Sequence, residues 1–173
     1  MNTSSEFSCL RERLWQHRFE QPERGTDLVR RLVNEQRWSI SDAREAVDEY
    51  RKFCFLAVVA PHSVTPSQAV DVVWHTHLLY TRDYWDIFCP LVLGQPLHHG
   101  PANGMEEDTH FYNQYGATLD LYQTHFGEIN QKWWPDTREP FQTPTQQRWV
   151  DLKDVWIIHK PKWVQRLLHL GKT

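Results

Sequence analysis

Ten histidines stand in a chain of 173 residues, and they are unevenly spread: His75, His77, His98, His99 and His110 all fall within one short stretch. Imidazole is the commonest metal ligand and the side chain that titrates nearest neutrality, so such clustering bears on chemistry. In Asp71-Val-Val-Trp74-His75-Thr-His77 the carboxylate and the first imidazole are four residues apart, which makes them neighbours on one face of a helix. Asp71 can fix the tautomer of His75 or ligate beside it. His75 and His77 are two apart and diverge by about 200° on a regular helix, so they cannot share a site there. This is not the i,i+4 histidine pair of an HExxH motif. His98-His99 sits between Pro96 and Gly100-Pro101. A loop of that kind can splay adjacent side chains, and one of the two can return to the Asp71/His75 face.

These residues predict a divalent metal, zinc by default, held by Asp71, His75 and one or both of His98 and His99. Three protein ligands plus water make a Lewis-acid site able to activate that water. Spacing singles out no acid or base, so catalytic residues stay unassigned and the sequence does not decide whether the protein is an enzyme. The alternative is a non-enzymatic interaction or scaffold domain in which the same residues form a buried hydrogen-bond network. A protein partner would belong to that second reading, and no residue identifies one. His77 falls on an apolar stripe with Trp74 and Leu78 and reads as a packed core histidine supporting the site, with Trp74 as an anchor whose indole N–H needs an acceptor. His17, His62, His125, His159 and His169 show no partner in the sequence. Cys89 has no activating neighbour and reads as a buried, inert thiol. GxGxxG, GxxxxGK[ST] and GxSxG are all missing, so no nucleotide cofactor is expected.

The elements that must position these residues are mostly helices. Ser5 can cap a first helix carrying Phe7, Leu10 and Leu14. Thr26-Asp27 starts a second, ending near Trp38. Ser41-Asp42 opens the clearest one, with Ala43, Ala46, Val47, Tyr50 and Ala57 on its stripe and Pro61 as its stop. Thr65-Pro66 is a cap followed by proline at the first helical position, predicting a helix to about Tyr80. Thr81 can cap a further one from Arg82 to about Cys89, broken or kinked at Pro90 and ended by Gly94. After the loop 94–104, a helix from about Thr109 to Phe126 is closed by Gly127. Beyond Trp133-Trp134-Pro135 the chain turns polar. Val155 to His159 reads as a short strand, and Trp163 to Leu170 as a last amphipathic helix.

Composition bounds the rest. Apolar residues make up 40% and charged residues 24% of the chain, which is ordinary globular usage. With 19 Lys+Arg against 22 Asp+Glu the net charge is −3, giving no basis for attraction to nucleic acid or an anionic membrane. No stretch reaches the ~20 apolar residues that span a bilayer. Residues 1–16 carry no signal-peptide apolar block. Cys9, Cys54 and Cys89 are odd in number and form no CxxC pair, which predicts a reduced, cytoplasmic protein. The 9 tryptophans are spread along the whole chain and read as core anchors. Trp133-Trp134 is the pair expected either partly exposed or, more commonly, as a lid over the core.

Val70-Asp71-Val-Val-Trp74-His75-Thr-His77-Leu-Leu-Tyr80-Thr81-Arg82-Asp83-Tyr84, followed by Gly94-Gln-Pro-Leu97-His98-His99-Gly100-Pro101, resembles the glycine-rich-domain-containing-protein-like family. The likeness continues through Tyr115 to Tyr122, Phe126-Gly127 and Trp134-Pro135, and back to Ala46 to Ser63. It implies a helical core and a shared role for Asp71, Trp74, His75, His98 and His99, with no reaction attached. An aromatic residue at the position of His77 in related members fits a packing role. The chain departs from the family name, holding only 7 Gly and no glycine-rich segment. Together these readings predict a mostly α, single-domain irregular helical bundle: a helical core over 1–135, and an extended or β C-terminal segment with a short helix over 136–173.

Overall fold

A 20-residue helix, α3 (Ile40–Val59), is the element on which the others pack. Its start is set two residues earlier than Ser41-Asp42 suggests, because Ser39 Oγ accepts the Asp42 N–H at 3.0 Å. Ala43, Ala46, Val47, Tyr50, Phe53 and Cys54 recur on the stripe that the 3.6-residue period predicts, and all are buried. A computed structural model of the protein describes residues 3–100 and 107–135, with side chains over 5–100 and 113–135. These fall in one unit, Met1–Phe141. The extended or β segment expected over 136–173, with its strand and last helix, lies outside the described residues.

Helices α1 (Thr3–Gln16), α2 (Leu28–Gln36), α4 (Gln68–Leu78) and α5 (Glu107–Phe126), and a π-helix (Asp83–Leu93), all contact α3. The fold is mostly α, as expected. Asp27 caps α2 by accepting the Arg30 N–H at 3.0 Å. Between α1 and α2 runs a two-stranded antiparallel ribbon that periodicity did not announce, β1 (Glu20–Gln21) with β2 (Thr26–Asp27), Glu20 facing Asp27. Gly25, at φ +75°, closes its turn where an L side chain would be strained.

Ser5 lies inside α1 rather than capping it, and two further boundaries differ from the sequence reading. α4 is capped by Ser67, whose Oγ accepts the Val70 N–H, and not by Thr65. Thr65 instead ties the preceding loop to α5, its N–H donating to Thr118 Oγ1 at 3.0 Å. The second difference is at Pro90, which does not break its helix. Asp83–Leu93 is wound as a π-helix containing Pro90. The wider i→i+5 turn moves the i−4 carbonyl away from the proline ring that would clash with it in an α-helix. Gly94 then ends the segment at φ +81°, its N–H reaching Cys89 O.

The core is aromatic. Trp133 and Trp134 are buried and form the expected lid. Trp134 Nε1 donates to Glu49 Oε2 at 3.0 Å, and Tyr122 Oη donates to the same oxygen at 2.9 Å. Lys52 Nζ bonds Glu49 Oε1 at 2.9 Å. A buried carboxylate would be costly alone, but here it has a donor on each oxygen. Among the described residues no helix is long and apolar enough to cross a membrane.

Candidate metal centre and a buried histidine–carboxylate cluster

The α-helical period of α4 places Asp71 and His75 side by side, His75 Nδ1 lying 3.7 Å from Asp71 Oδ2. The loop after the π-helix supplies the third group, since His99 Nε2 meets Asp71 Oδ1 at 2.8 Å. A short relay sets the path of that loop. Trp74 Nε1 donates to Tyr84 Oη at 2.9 Å, and Tyr84 Oη donates to the Leu97 carbonyl two residues before His99. Trp74 also packs edge-on against His99, ring centroids 4.4 Å apart. The His75 and His99 rings are 4.3 Å apart. One donor atom from each of Asp71, His75 and His99 lies within 4.8 Å of the others. His98, expected as a possible fourth ligand, is exposed and rests against the Trp85 ring at 5.3 Å, outside this group. Adjacent residues of an extended loop face opposite ways, so only one of the pair could return.

His77 leaves α4 on the opposite side, as the angular argument requires. It is 0% exposed, against 55% for the His75 side chain. Its Nε2 lies 2.9 Å from Asp83 Oδ2, and His17 Nε2 lies 3.2 Å from the same oxygen. Tyr50 Oη completes the set, 3.0 Å from His77 Nδ1. An ionised carboxylate only accepts, so both imidazoles donate from Nε2, and His77 Nδ1 is left to accept the Tyr50 hydroxyl proton. Burial pushes Asp83 upward, but the hydrogen bonds and charges of His17 and His77 outweigh it and hold the carboxyl well below the usual carboxylate range. Burial lowers His77, partly offset by Asp83. Burial also keeps the Tyr50 hydroxyl protonated far above its usual range. His17, His77 and Asp83 also bring three donor atoms within 4.8 Å of one another and could hold a metal.

Spacing alone missed His17, Asp83 and Tyr50. The His17–Asp83 contact joins residues 66 apart, and no local pattern can announce it. Asp83 follows His77 by six residues across a helix break, which is likewise outside any helical rule. The Cys89 thiol is buried and pushed up by that burial, in line with an inert core cysteine.

Residues 13–121 match the UCP032817-like family. That is well over half the chain, and the protein belongs to this family, whose description carries no activity. No curated protein and no solved structure shows significant similarity to the chain. The resemblance to the glycine-rich-domain-containing-protein-like family is corrected by this match, and nothing points to a glycine-rich family. The D-x-x-W-H and L-H-H signatures that carried it are short. Their residues make contacts any helix-and-loop packing could use, Trp74 to a tyrosine hydroxyl and His99 to a carboxylate.

Proposed function

We propose that the protein binds a divalent cation, zinc by default, at Asp71, His75 and His99. One observation carries the reading. Asp71 is flanked on both oxygens by imidazole nitrogens, and one of these, His75 Nδ1 at 3.7 Å, is too far away for a hydrogen bond. The cluster therefore holds donor capacity that the protein itself does not use. Tetrahedral zinc ligands at about 2.1 Å from the ion lie roughly 3.4 Å from one another, so small side-chain adjustments suffice. Two imidazoles and one carboxylate are a suitable set for zinc. The half-exposed position leaves a side open to solvent, and a bound ion there would supply Lewis acidity. Trp74, through Tyr84, holds the loop that carries His99.

The buried cluster supports the structural reading instead. Its two Nε2 hydrogens share Asp83 Oδ2 and the Tyr50 hydroxyl is held by His77 Nδ1, so a cation there would have to displace two of those protons. The free thiols of Cys9, Cys54 and Cys89 fit a reducing, cytoplasmic setting.

Elemental analysis of protein purified without a histidine tag tests the proposal. About one equivalent of zinc, or a rise in melting temperature on adding zinc, is expected from linkage. Less than about 0.2 equivalents of any transition metal, together with no melting shift, would overturn it.

A further inference from the structure

Beside His17 the surface opens into a cleft of about 380 Å³, within the roughly 300–1,000 Å³ typical of small-ligand sites. Trp15, Phe19, Val29 and Val47 give it apolar walls, and Trp15 is 42% exposed. Three guanidiniums and two carboxylates also line it. Arg44 is spent on Glu20, through two hydrogen bonds of 3.1 Å. Arg51 is spent on Asp48 and on the Leu14 and His17 carbonyls. The Arg18 guanidinium makes no hydrogen bond among the described residues and acts on Glu20 only through its charge. One positive charge is therefore left over.

His17 supplies the second free group. The residue is only 8% exposed, and its Nε2 is fixed on Asp83, which His77 and Tyr50 brace from behind. Its Nδ1 has no partner among the described residues and is not sealed from solvent. His17 itself is one of the residues that line the cleft.

We infer that this cleft binds a small organic monocarboxylate with an apolar body. Arg18 takes the carboxylate, His17 borders the bound ligand, and Trp15 and Phe19 hold the body. Arg pairs with carboxylates through two parallel N–H···O bonds. A dianion such as phosphate is disfavoured because Glu20 and Asp48 already neutralise the other two guanidiniums. Asp83, His77 and Tyr50 are positioning residues, locking the His17 ring in one orientation. This site is separate from the proposed metal centre and does not depend on it.

The test is a titration of the full-length protein, carrying 15N-labelled histidine, with phenylacetate followed by NMR. A saturable shift at the His17 ring is expected at millimolar or lower concentration, with the His75 and His99 signals unmoved. Neutral phenylacetamide should bind about tenfold more weakly or not at all, and Arg18→Gln should weaken phenylacetate by a similar factor. Arg18 is exposed and unbonded, so its replacement leaves the fold in place. The same titration on Asp71→Ala should be unchanged, which separates this site from the metal centre. Absence of a His17 shift at millimolar phenylacetate overturns the inference. So does equal binding of phenylacetamide, or an Arg18→Gln variant that binds as well as the original. Inorganic phosphate moving His17 as strongly as phenylacetate overturns the monoanion assignment.

Discussion

His75 and His77 leave the same helix two residues apart and enter two clusters of the same composition, two imidazoles and one carboxylate each. Asp71, His75 and His99 stand at the surface with one carboxylate–imidazole contact at 2.8 Å and one left at 3.7 Å. His17, His77 and Asp83 are buried, with both imidazoles within hydrogen-bond distance of the carboxylate and Tyr50 behind them. The pairing teaches that ligand types alone do not make a site. What distinguishes the two is how many donor and acceptor positions the protein leaves unmatched, and whether solvent can reach them. The same criterion singles out His17 Nδ1, which has no partner among the described residues, on a residue that lines a cleft.

That comparison can be broken most sharply by removing each carboxylate in turn. Asp83→Ala should cost about 3–5 kcal/mol in urea unfolding, because it leaves two buried imidazole donors and their tyrosine without an anchor. Asp71→Ala should cost less than about 1 kcal/mol, since its partners can turn to water. Equal losses would erase the distinction. Zinc should act the other way round. At a hundredfold excess over Kd it should stabilise the protein by about 2.7 kcal/mol. The associated melting shift should vanish in Asp71→Ala and persist in Asp83→Asn, provided that variant still folds at the temperature used.

Acid gives a smaller, graded effect. Asp83 is held below its ordinary value in the folded state, so its contribution is present above the unfolded carboxylate pKa and is lost as pH falls below about 4. His77 is also lowered, so it acts with the same sign, weakening the fold once pH drops below about 6.5. Unfolding free energies of the protein and of Asp83→Asn, compared from pH 7 to pH 3, should converge towards the acid end. Parallel curves would contradict the ionised carboxylate. The smallest effect separates neighbours in the loop. His98→Ala should change stability by less than about 0.5 kcal/mol and leave the zinc shift intact, whereas His99→Ala should abolish that shift.

Local periodicity made half of the surface cluster legible. The four-residue step from Asp71 to His75 is a property of any α-helix, and the divergence of His75 from His77 follows from the same geometry. The Pro- and Gly-bounded loop announced that a histidine could return, but not which one, because that depends on where the Leu97 carbonyl is tethered by Tyr84. The helices over α2, α3 and α5 were readable from their apolar stripes and their flanking stop residues. Ser67 displaced Thr65 as a cap because Thr65 is drawn off by Thr118, a tertiary preference no window of sequence contains. Pro90 suggested a break or a kink, and the chain accommodates it by widening its turn. His17 and Asp83 lay beyond reach because their contact is made by folding, across most of the first half of the chain.

The π-helix begins with two adjacent residues that serve different clusters. Asp83 anchors the buried histidines, while Tyr84 receives Trp74 and holds the loop of His99. A single local opening of that first turn would release both, so the two clusters belong to one cooperative unit. In native-state hydrogen exchange the amides around Leu97 to His99 and those around His77 should become exposed at a common free energy. Opening of that turn should then expose the surface centre without any change at its own ligands.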